Sequence, residues 1–443
     1  MAIDAINRHF KHSKKEEVLA IFQKLKDKPE DFLEDEALGR IAPLLMPIPE
    51  KKRADEIQIA TEAIDYHVFG REHIQDSAVL QMDYAMRLPV TKAGALMPDA
   101  HHGYGLPIGG VLATQNAIIP YAVGVDIGCR MALSIYDIPA SYLKKNTYEL
   151  KTALSEWTAF GTGKALPFAQ DHEVLDRQEF NEIPFVKKLH GKARKQLGSS
   201  GSGNHFVEFG IVEMNFDNKV GIPEGQYLAI LTHSGSRGFG ATIAGHYTKL
   251  AKEKCFLPKE VQHLAWLDMD TEEGQEYWLA MNLAGDYASA CHDRIHINLA
   301  KALGIKPIAK VENHHNFAWK EIHNGEELIV HRKGATPAGK NVLGIIPGSM
   351  TAPGFIVSGK GEEASLSSAS HGAGRLLSRT KAKKAITNSA LKKMLKSEGI
   401  ELIGGGLDEA PIAYKNIHEV MKSQTRLVNI EGKFFPKIVR MDK

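Results

Sequence analysis

The chain has 443 residues, of which 55 are Lys or Arg and 53 are Asp or Glu, so its formal charge is only +2. With 43% apolar and 24% charged residues, it has the composition of a folded globular protein with room for a large core. The near balance of charges excludes a chain-wide polycation, so a basic surface for nucleic acid must come from local clustering.

The cysteine content excludes a disulfide scaffold and a thiolate-rich zinc module. Cys129, Cys255 and Cys291 are the three cysteines, and none belongs to a Cys-x-x-Cys pair. The first residues, MAIDAINRHFKHSKKEE, lack the apolar stretch of a signal peptide, and no run approaches the length of a membrane span. We therefore expect a cytoplasmic protein without membrane contact, and a monomer.

Residues 1–68 are predicted to form a helical N-terminal extension. KKEEVLAIFQKLKD and ADEIQIATEAIDYHVF space their apolar residues by three and four, and Pro47 and Pro49 break the pattern between them. From residue 88 to about 131, glycine, proline and apolar residues dominate. Apolar runs at 111–114 and 131–136 predict strands beside turn-rich loops that carry histidine.

Farther along the chain, helices are predicted near 145–158 and 180–196, and a longer helical region ends at about 303. Strands that end in glycine-rich loops bearing a histidine recur in LGSSGSGNHFVEFGIVE and YLAILTHSGSRGFG, and the tail VNIEGKFFPKIVRMDK is strand-like. This alternation favours an α/β (α+β) fold with a single large catalytic body at residues 69–443.

A mixed-ligand metal site is the first chemical hypothesis. Asp126 and Cys129 lie three positions apart in VGVDIGCRM, where a carboxylate and a thiolate could converge on one metal and the thiolate could bridge two. A lone buried cysteine is more often a small apolar residue. The motif alone therefore does not decide between the two interpretations.

Histidines in three other loops strengthen this hypothesis. His205 lies in GSGNHF, His233 in THSGSRG and His315 in NHHNFAWKE, where the adjacent His314 is an alternative ligand. An isolated histidine is usually a hydrogen-bonded polar residue. One carboxylate, one thiolate and three imidazoles together suit one or two divalent ions of the Mn²⁺, Co²⁺ or Zn²⁺ kind.

His371 has a different setting, in SASHGAGRLLSR. Small residues follow it, and then Arg375 and Arg379, whose spacing of four predicts one helical face beside a phosphate site. A histidine there is a ligand, an acid–base group or a nucleophile toward phosphorus. The alternative is a helix N-terminus with solvated arginines. Arg237 in HSGSRG and Lys333 in HRKGAT add cations beside glycine.

The familiar nucleotide-binding motifs are missing. GTGKA lacks the spacing and the Ser/Thr of a Walker A loop, and GYGLPIG is not a Rossmann fingerprint. No Lys-x-Asp-Gly signature of lysine-dependent nucleotidyltransferases is present. If a nucleotide is activated here, the usual lysine is not its carrier.

Taken together, these motifs resemble the RtcB family of RNA-splicing ligases. The resemblance covers roughly residues 70–443, with the motifs in the family's order. The matching stretches are LMPDAHHGYGLPIGG, AVGVDIGCRM, GSGNHFVE, HSGSRGFG, HHNFAWKE, HRKGAT, PGSM, SHGAGRLLSR and DEAPIAYK. It implies an α/β body with a deep, metal-containing cleft.

The resemblance also implies two Mn²⁺ ions and GTP, with a guanylate carried on His371. Cys129 would be shared between the ions, and the family pattern prefers His315 over His314. The implied metal ligands are Asp126, Cys129, His205, His233 and His315. The implied guanylate contacts are Asn204, His205, Phe206, Glu208, Ser349, His371, Ala373, Gly374 and Lys443. Asp99 matches an acidic residue of the catalytic site. The implied phosphate-handling residues are Arg237, Lys333, Arg375 and Arg379.

The implied reaction is GTP- and Mn-dependent joining of an RNA 3′-phosphate or 2′,3′-cyclic phosphate end to a 5′-hydroxyl end, in RNA repair or tRNA splicing. An archease-type activator is an expected partner. The alternatives are a dinuclear phosphohydrolase acting on RNA ends or nucleotides, and a catalytically silent binder of RNA ends. The sequence departs from the family at Arg130, expected to add a cation beside the metals, and at TAPGF after PGSM.

Overall fold

The computed structural model describes residues 9–11, 13–46 and 56–442. Contacts divide the chain into two compact units, Met1–Asp55 and Glu56–Lys443. The boundary expected between residues 68 and 69 applies to the catalytic domain, which this division by contacts does not test, so it stays a prediction. The predicted break at Pro47 and Pro49 lies outside the described residues.

The smaller unit contains the first predicted helix. Helix α1 (Lys15–Asp27) has Glu16 and Glu17 in its first turn and lysines in its last turn, which matches the helix dipole. The 3₁₀ helix Pro29–Phe32 and the one-turn helix α2 (Ala42–Leu45) follow. Leu25 and Leu38 form the centre of a small core of this unit.

The second predicted helix is wrong over residues 56–66, which form no helix. This segment instead is an extended part of the larger unit, where the N–H of Ile57 donates to Phe256 O at 2.9 Å and the N–H of Ala60 to Arg87 O at 3.0 Å. Its apolar residues pack against the largest core cluster of that unit. Tertiary contacts therefore override a helical spacing that the local sequence favours.

The larger unit mixes helices with strands. Its α-helices are α3 (Asp76–Ala85), α4 (Pro120–Val123), α5 (Ser141–Lys145), α6 (Thr147–Trp157), α7 (Glu179–Glu182), α8 (Pro184–Lys187), α9 (His190–Gln196), α10 (Arg237–Lys254), α11 (Glu272–Leu303), α12 (Arg379–Ala385), α13 (Asn388–Ser397) and α14 (Ile417–Lys422). Its 3₁₀ helices are Arg71–His73, Glu173–Asp176, Gln262–Leu264, Glu363–Ser365, Leu407–Glu409 and Pro411–Ala413. In the described part of the chain, no helix has both the length and the apolar character that a membrane crossing requires.

The predicted strands are present as β3, β5, β6, β7 and β17 of the following set. They are β1 (His67–Val68), β2 (Thr91–His101), β3 (Ile108–Thr114), β4 (Ala117–Ile118), β5 (Arg130–Tyr136), β6 (Phe206–Met214), β7 (Gly225–Ser234), β8 (Leu267–Asp268), β9 (Ala309–His314), β10 (Asn316–His323), β11 (Glu326–Lys333), β12 (Ala335–Pro337), β13 (Leu343–Ile346), β14 (Gly354–Gly359), β15 (Ser368–Ser370), β16 (Glu401–Ile403) and β17 (Val428–Met441). The expected single α/β body is confirmed.

Two sheets carry the architecture. One has the order β1-β2-β3-β11-β10, and the larger one has the order β13-β14-β17-β6-β7-β5-β9, with β16 beside β17. The edge strands of the larger sheet come together through Asn313, whose side chain bonds Ile345 N at 2.8 Å and Ile345 O at 3.3 Å. This sheet is therefore nearly closed.

The two faces of the larger sheet pack differently. Its inner face is apolar, with Leu133 of β5 and Leu231 of β7 in one buried cluster. Its outer face packs against α6 and α11 through Leu150 and Ile295. Because β5 and β6 begin at the end of the sheet where β7 and β9 finish, residues next to these four strands meet at that end.

Candidate active site

The proposed metal ligands lie at the common end of β5, β6, β7 and β9. Cys129 directly precedes β5 and His205 directly precedes β6, while His233 is the penultimate residue of β7. His315 is the single residue between β9 of the larger sheet and β10 of the other sheet. Strand register thus gathers side chains that are far apart in the sequence.

One group of three potential ligands consists of Cys129, His233 and His315. Cys129 Sγ lies 3.2 Å from His233 Nε2, which lies 3.3 Å from His315 Nε2. All three side chains are buried. Burial lowers the pKa of His233 to about 3 and that of His315 well below its ordinary value, which keeps both imidazoles neutral, the form that binds metals.

A second group consists of Asp126, Cys129 and His205, so the thiol is common to both groups. Asp126 Oδ2 lies 3.0 Å from His205 Nε2, and Cys129 Sγ lies 3.5 Å from the same nitrogen. Burial acts to raise the pKa of Asp126, but the bond with His205 more than offsets it and the pKa is lowered. Burial and the nearby Asp126 carboxylate raise the pKa of the Cys129 thiol well above its ordinary value.

Neighbouring groups orient these ligands. His233 Nδ1 donates to Asn204 O at 3.0 Å, which leaves Nε2 with the lone pair. Asp126 Oδ1 accepts the N–H of Ser236 at 3.0 Å. The Nδ1 atoms of His205 and His315 are buried without a hydrogen-bond partner in the described part of the chain.

His371 lies beside this cluster, with its ring centroid 4.9 Å from that of His315. Its Nδ1 donates to Asp99 Oδ2 at 2.7 Å, and the same oxygen accepts the N–H groups of His371 at 3.1 Å and Gly372 at 3.2 Å. Burial acts to raise the pKa of Asp99, yet His371 more than offsets it and the pKa is lowered. The fixed tautomer leaves the lone pair of His371 on Nε2.

The loop after His371 requires glycine where it crosses β2. Gly374 has φ +75°, and a Cβ added there would lie 2.1 Å from Asp99 O. Arg375 pairs with Tyr414 as an isolated bridge, so the expectation that Arg375 and Arg379 share a helical face is wrong. The small residues bring the loop against β2 instead of starting a helix, and α12 begins only at Arg379.

A cavity of about 370 Å³ joins these features. Its walls include the five proposed metal ligands and His371. They also include the proposed guanylate contacts within the described residues, which are Asn204, His205, Phe206, Glu208, Ser349, Ala373 and Gly374. Asp99 is not part of the cavity wall and contacts His371, which is. Lys443 lies outside the described residues.

The base-binding candidates offer an apolar surface and a carboxyl group. Phe206 is partly buried beside His233, with ring centroids 5.6 Å apart. Glu208 is buried in β6, and burial raises its pKa well above the ordinary value. The altered PGSMTAPGF loop supplies Pro347, Ala352 and Gly354 to the same cavity.

Lys333, Arg375 and Arg379 line the cavity, whereas Arg237 is buried outside its lining. Lys333 Nζ donates to Tyr104 O at 2.5 Å and to Tyr121 O at 3.1 Å, and burial lowers its pKa to about 7. The guanidinium of Arg237 donates to Ser199 Oγ and Gly161 O, which fixes the loops beside His205.

Arg130 does not add a cation to the cavity, contrary to the expectation from the sequence. Its side chain points to the outer face of β5, where Nη1 lies 3.6 Å from Glu312 Oε1 and Nη2 lies 3.5 Å from His314 Nδ1. Alternation along β5 places Cys129 and Arg130 on opposite sides. The same alternation puts His314 with Arg130 and His315 with the proposed ligands.

Three residues of the site were not singled out from the sequence. Asn316 donates to Asp126 O at 3.3 Å and accepts the N–H of Gly334 at 2.9 Å. Glu409 Oε2 accepts from Arg375 at 3.0 Å and from the Tyr414 hydroxyl. Their positions within NHHNFAWKE and DEAPIAYK were the available signal.

Comparison with known proteins gives consistent matches over most of the chain. A sequence model of the family described as "tRNA-splicing ligase RtcB" matches residues 81–185 and 182–441. The RNA-splicing ligase RtcB of Escherichia coli (strain K12) is 34% identical over 386 residues, which cover 81% of this chain and 92% of that protein. The tRNA-splicing ligase RtcB of Nanoarchaeum equitans (strain Kin4-M) is 32% identical over 421 residues, covering 79% and 87%.

Proposed function

Because the chain belongs to the RtcB family of RNA-splicing ligases, we propose that it joins an RNA 3′-phosphate or 2′,3′-cyclic phosphate end to a 5′-hydroxyl end, using GTP and two Mn²⁺ ions. The observation that carries the proposal is the position of His371. Asp99 holds its ring in the wall of the cavity that both groups of potential metal ligands also line.

The donor set fits two divalent ions. Cys129, His233 and His315 would hold one, and Asp126, Cys129 and His205 the other. Such a pair requires neutral imidazole, carboxylate and thiolate donors. A bound cation would displace the proton of the buried thiol. Bound divalent ions would neutralise phosphate charge and orient a triphosphate for displacement at its α-phosphorus.

His371 would act as the nucleophile. Its Nδ1–H donates to Asp99, so the Nε2 lone pair is available to form a bond with the α-phosphorus of GTP while pyrophosphate leaves. The guanylate then passes to the RNA 3′-phosphate, which restores the imidazole. A 5′-hydroxyl attacks that activated end, forms the phosphodiester and releases GMP. A 2′,3′-cyclic phosphate must first be opened by water.

The preference for guanine would come from Glu208 and Phe206. Guanine presents two adjacent N–H donors on its base-pairing edge, and the ionised carboxylate of Glu208 could accept both. Those two hydrogen bonds would favour the ionised form against the burial that raises its pKa. Phe206 offers a ring against which a base can stack. Arg375 and Arg379 would bind phosphate oxygens at the cavity wall.

The test is covalent labelling with GTP that carries a radioactive α-phosphate, in the presence of Mn²⁺. Wild type should acquire an acid-labile label, and His371→Ala should acquire none. His418→Ala, which removes an exposed histidine that is not part of the cavity lining, is the control and should be labelled like wild type. Label persisting in His371→Ala would refute the assignment of the nucleophile.

A parallel assay with 3′-phosphorylated RNA tests the outcome of the whole reaction. The proposal predicts joined strands and released GMP when a 5′-hydroxyl strand is present. Release of inorganic phosphate without joining would instead favour a dinuclear phosphohydrolase.

A further inference from the structure

Helices α12 and α13 carry a concentrated positive charge. Between residues 379 and 397 the sequence contains seven basic and no acidic residues, while the whole chain has a formal charge of +2. The basic residues are Arg379, Lys381, Lys383, Lys384, Lys392, Lys393 and Lys396, all exposed. We call these seven residues the basic face.

The packing of α13 fixes where the basic face lies. Leu391 and Leu395 are buried in one apolar cluster with Val439 and Met441 of β17 and with Met350. Val439, Met441 and Met350 also line the candidate active-site cavity. The apolar side of α13 is therefore packed behind the cavity wall, and its lysines project to the solvent from the other side of the helix.

The part of the basic face on α12 begins at the cavity. Its first residue, Arg379, lines the cavity and bonds Asp408 Oδ2 at 2.8 Å, and Ser378 Oγ caps the helix by accepting the N–H of Lys381. One turn later, Lys383 Nζ lies 3.6 Å from Asp408 Oδ1. Basic side chains therefore run from the cavity wall onto the surface, and the two nearest the wall are paired with Asp408.

The remaining lysines of the basic face have no acidic partner. Lys381, Lys384, Lys392, Lys393 and Lys396 form no ion pair with any of the residues that the structure describes. Lys392 and Lys396 are one helical turn apart, where like charges repel and destabilise the helix. An extended polyanion would relieve that repulsion and neutralise the whole face at once.

We propose that the basic face binds the ribose-phosphate backbone of the RNA strand that leads into the cavity. This inference rests on the proposed RNA ligase function and adds a path for the strand outside the cavity. Lysine is a flexible point charge, so this contact would depend on phosphate and not on base sequence. It would make RNA affinity strongly dependent on salt.

The test compares two variants with four Lys→Gln substitutions each. The first carries K384Q, K392Q, K393Q and K396Q; glutamine keeps the helix propensity of lysine. The control carries K144Q, K145Q, K301Q and K306Q, which removes four exposed lysines near the ends of α5 and α11 on the outer face of the larger sheet. Both variants lose the same net charge.

The readout is binding of a single-stranded, 3′-phosphorylated RNA over a series of salt concentrations, together with GTP labelling. The first variant should bind RNA on the order of 10- to 100-fold more weakly at physiological salt. Its slope of log affinity against log salt should be shallower by up to about 3, since each phosphate contact contributes ~0.7. The control should keep the wild-type slope, and both variants should be labelled by GTP like wild type.

An unchanged slope in the first variant would overturn the inference and leave the ligase proposal intact. Equal losses in both variants would also overturn it, because the effect would then reflect net charge. If wild type takes no label from GTP and joins no ends, the ligase proposal fails independently of the binding result.

Discussion

At the scale of single residues, Asp99 governs how His371 is presented. One carboxylate oxygen accepts three N–H groups, two of them from His371, so the side chain fixes both the backbone and the ring. We expect Asp99→Asn to slow GTP labelling on the order of 10²-fold or more, because the neutral amide neither selects the tautomer nor stabilises a charged imidazole.

The affinity for GTP separates this role from a structural one. If Asp99 only positions His371, Asp99→Asn should bind GTP like wild type in an equilibrium measurement while its labelling rate falls. Equal losses of binding and labelling would indicate a collapsed cavity. An unchanged labelling rate would contradict the role of Asp99 directly.

Lys333 predicts a pH-dependent effect on stability. Burial lowers its pKa from 10.5 to about 7, so between these values the unfolded chain holds a proton that the folded protein has released. Stability attributable to this group therefore rises with pH across that window. We expect the melting temperature of Lys333→Met to exceed that of wild type by the largest margin below pH 7.

The advantage of Lys333→Met should shrink as the pH rises from about 7 toward 10.5. The two carbonyl oxygens that lose a donor, Tyr104 O and Tyr121 O, contribute a cost with little pH dependence. The slope with pH is therefore the diagnostic quantity. A difference in melting temperature that stays constant over this range would show that Lys333 is not deprotonated on folding.

Residue chemistry alone could identify the histidines but could not choose between His314 and His315. The register of β9 places His315, and not His314, beside the other proposed ligands, since adjacent residues of an extended chain point to opposite sides. The same register takes the Arg130 side chain away from the cavity, although the residue follows Cys129 in the sequence. Which side of β5 and β9 faces the interior depends on closure of the larger sheet, and no local sequence pattern predicts that closure.

At the scale of elements, the loop before β5 depends on close contact with α11. Gly128 has φ +68°, and a Cβ there would lie 2.7 Å from the Cα of Gly285. We expect Gly128→Ala to lower the free energy of unfolding by roughly 1–3 kcal/mol and to reduce bound metal, because the strained loop carries Asp126 and Cys129.

Gly163 provides a matched control for the backbone strain. It has φ +71°, but nothing lies within 4 Å of an added Cβ. Gly163→Ala should therefore show the cost of the left-handed conformation without the clash and without loss of metal. Urea unfolding and metal analysis of the two variants would separate these effects. Equal behaviour would refute the importance of the contact with α11.

Helices and strands were predictable where the spacing of apolar residues agreed with the positions of glycines at element ends, as in β5, β7, α6 and α11. The helix expected over residues 56–66 failed because backbone groups of Phe256 and Arg87 offered hydrogen bonds to an extended segment. The helix expected through Arg375 failed because Gly374 packs against Asp99 O. Both failures arise from contacts distant in sequence, which spacing cannot reveal.

At the scale of the whole molecule, a metal pair would link four strands of the larger sheet. Because the ligands are brought together only in the folded state, each bound ion should stabilise the protein by about 2.7 kcal/mol at a metal concentration of 100 times its Kd. For a chain of this size, we expect Mn²⁺ to raise the melting temperature by about 3 °C for each ion bound, and a chelator to reverse the shift.

Two cysteine variants test this expectation. Cys129→Ser should lose most of the Mn²⁺-dependent shift, since the thiol is common to both ligand groups. Cys255→Ser alters another buried cysteine in the apolar core and should keep the shift, whatever its own melting temperature. A shift of equal size in Cys129→Ser and wild type would place metal binding elsewhere in the molecule.

His315 alone joins β9 of the larger sheet to β10 of the other sheet. β9 ends one residue before it and β10 begins one residue after it. Adding a single residue there would reverse the facing of the side chains that follow or withdraw the imidazole from its neighbours. At the far end of β10, the Asn324–Gly325 turn joins it to β11 with both residues at positive φ. We therefore expect insertions that lengthen β10 and β11 to be tolerated at that distal turn, and insertions or deletions at His315 to disrupt the site.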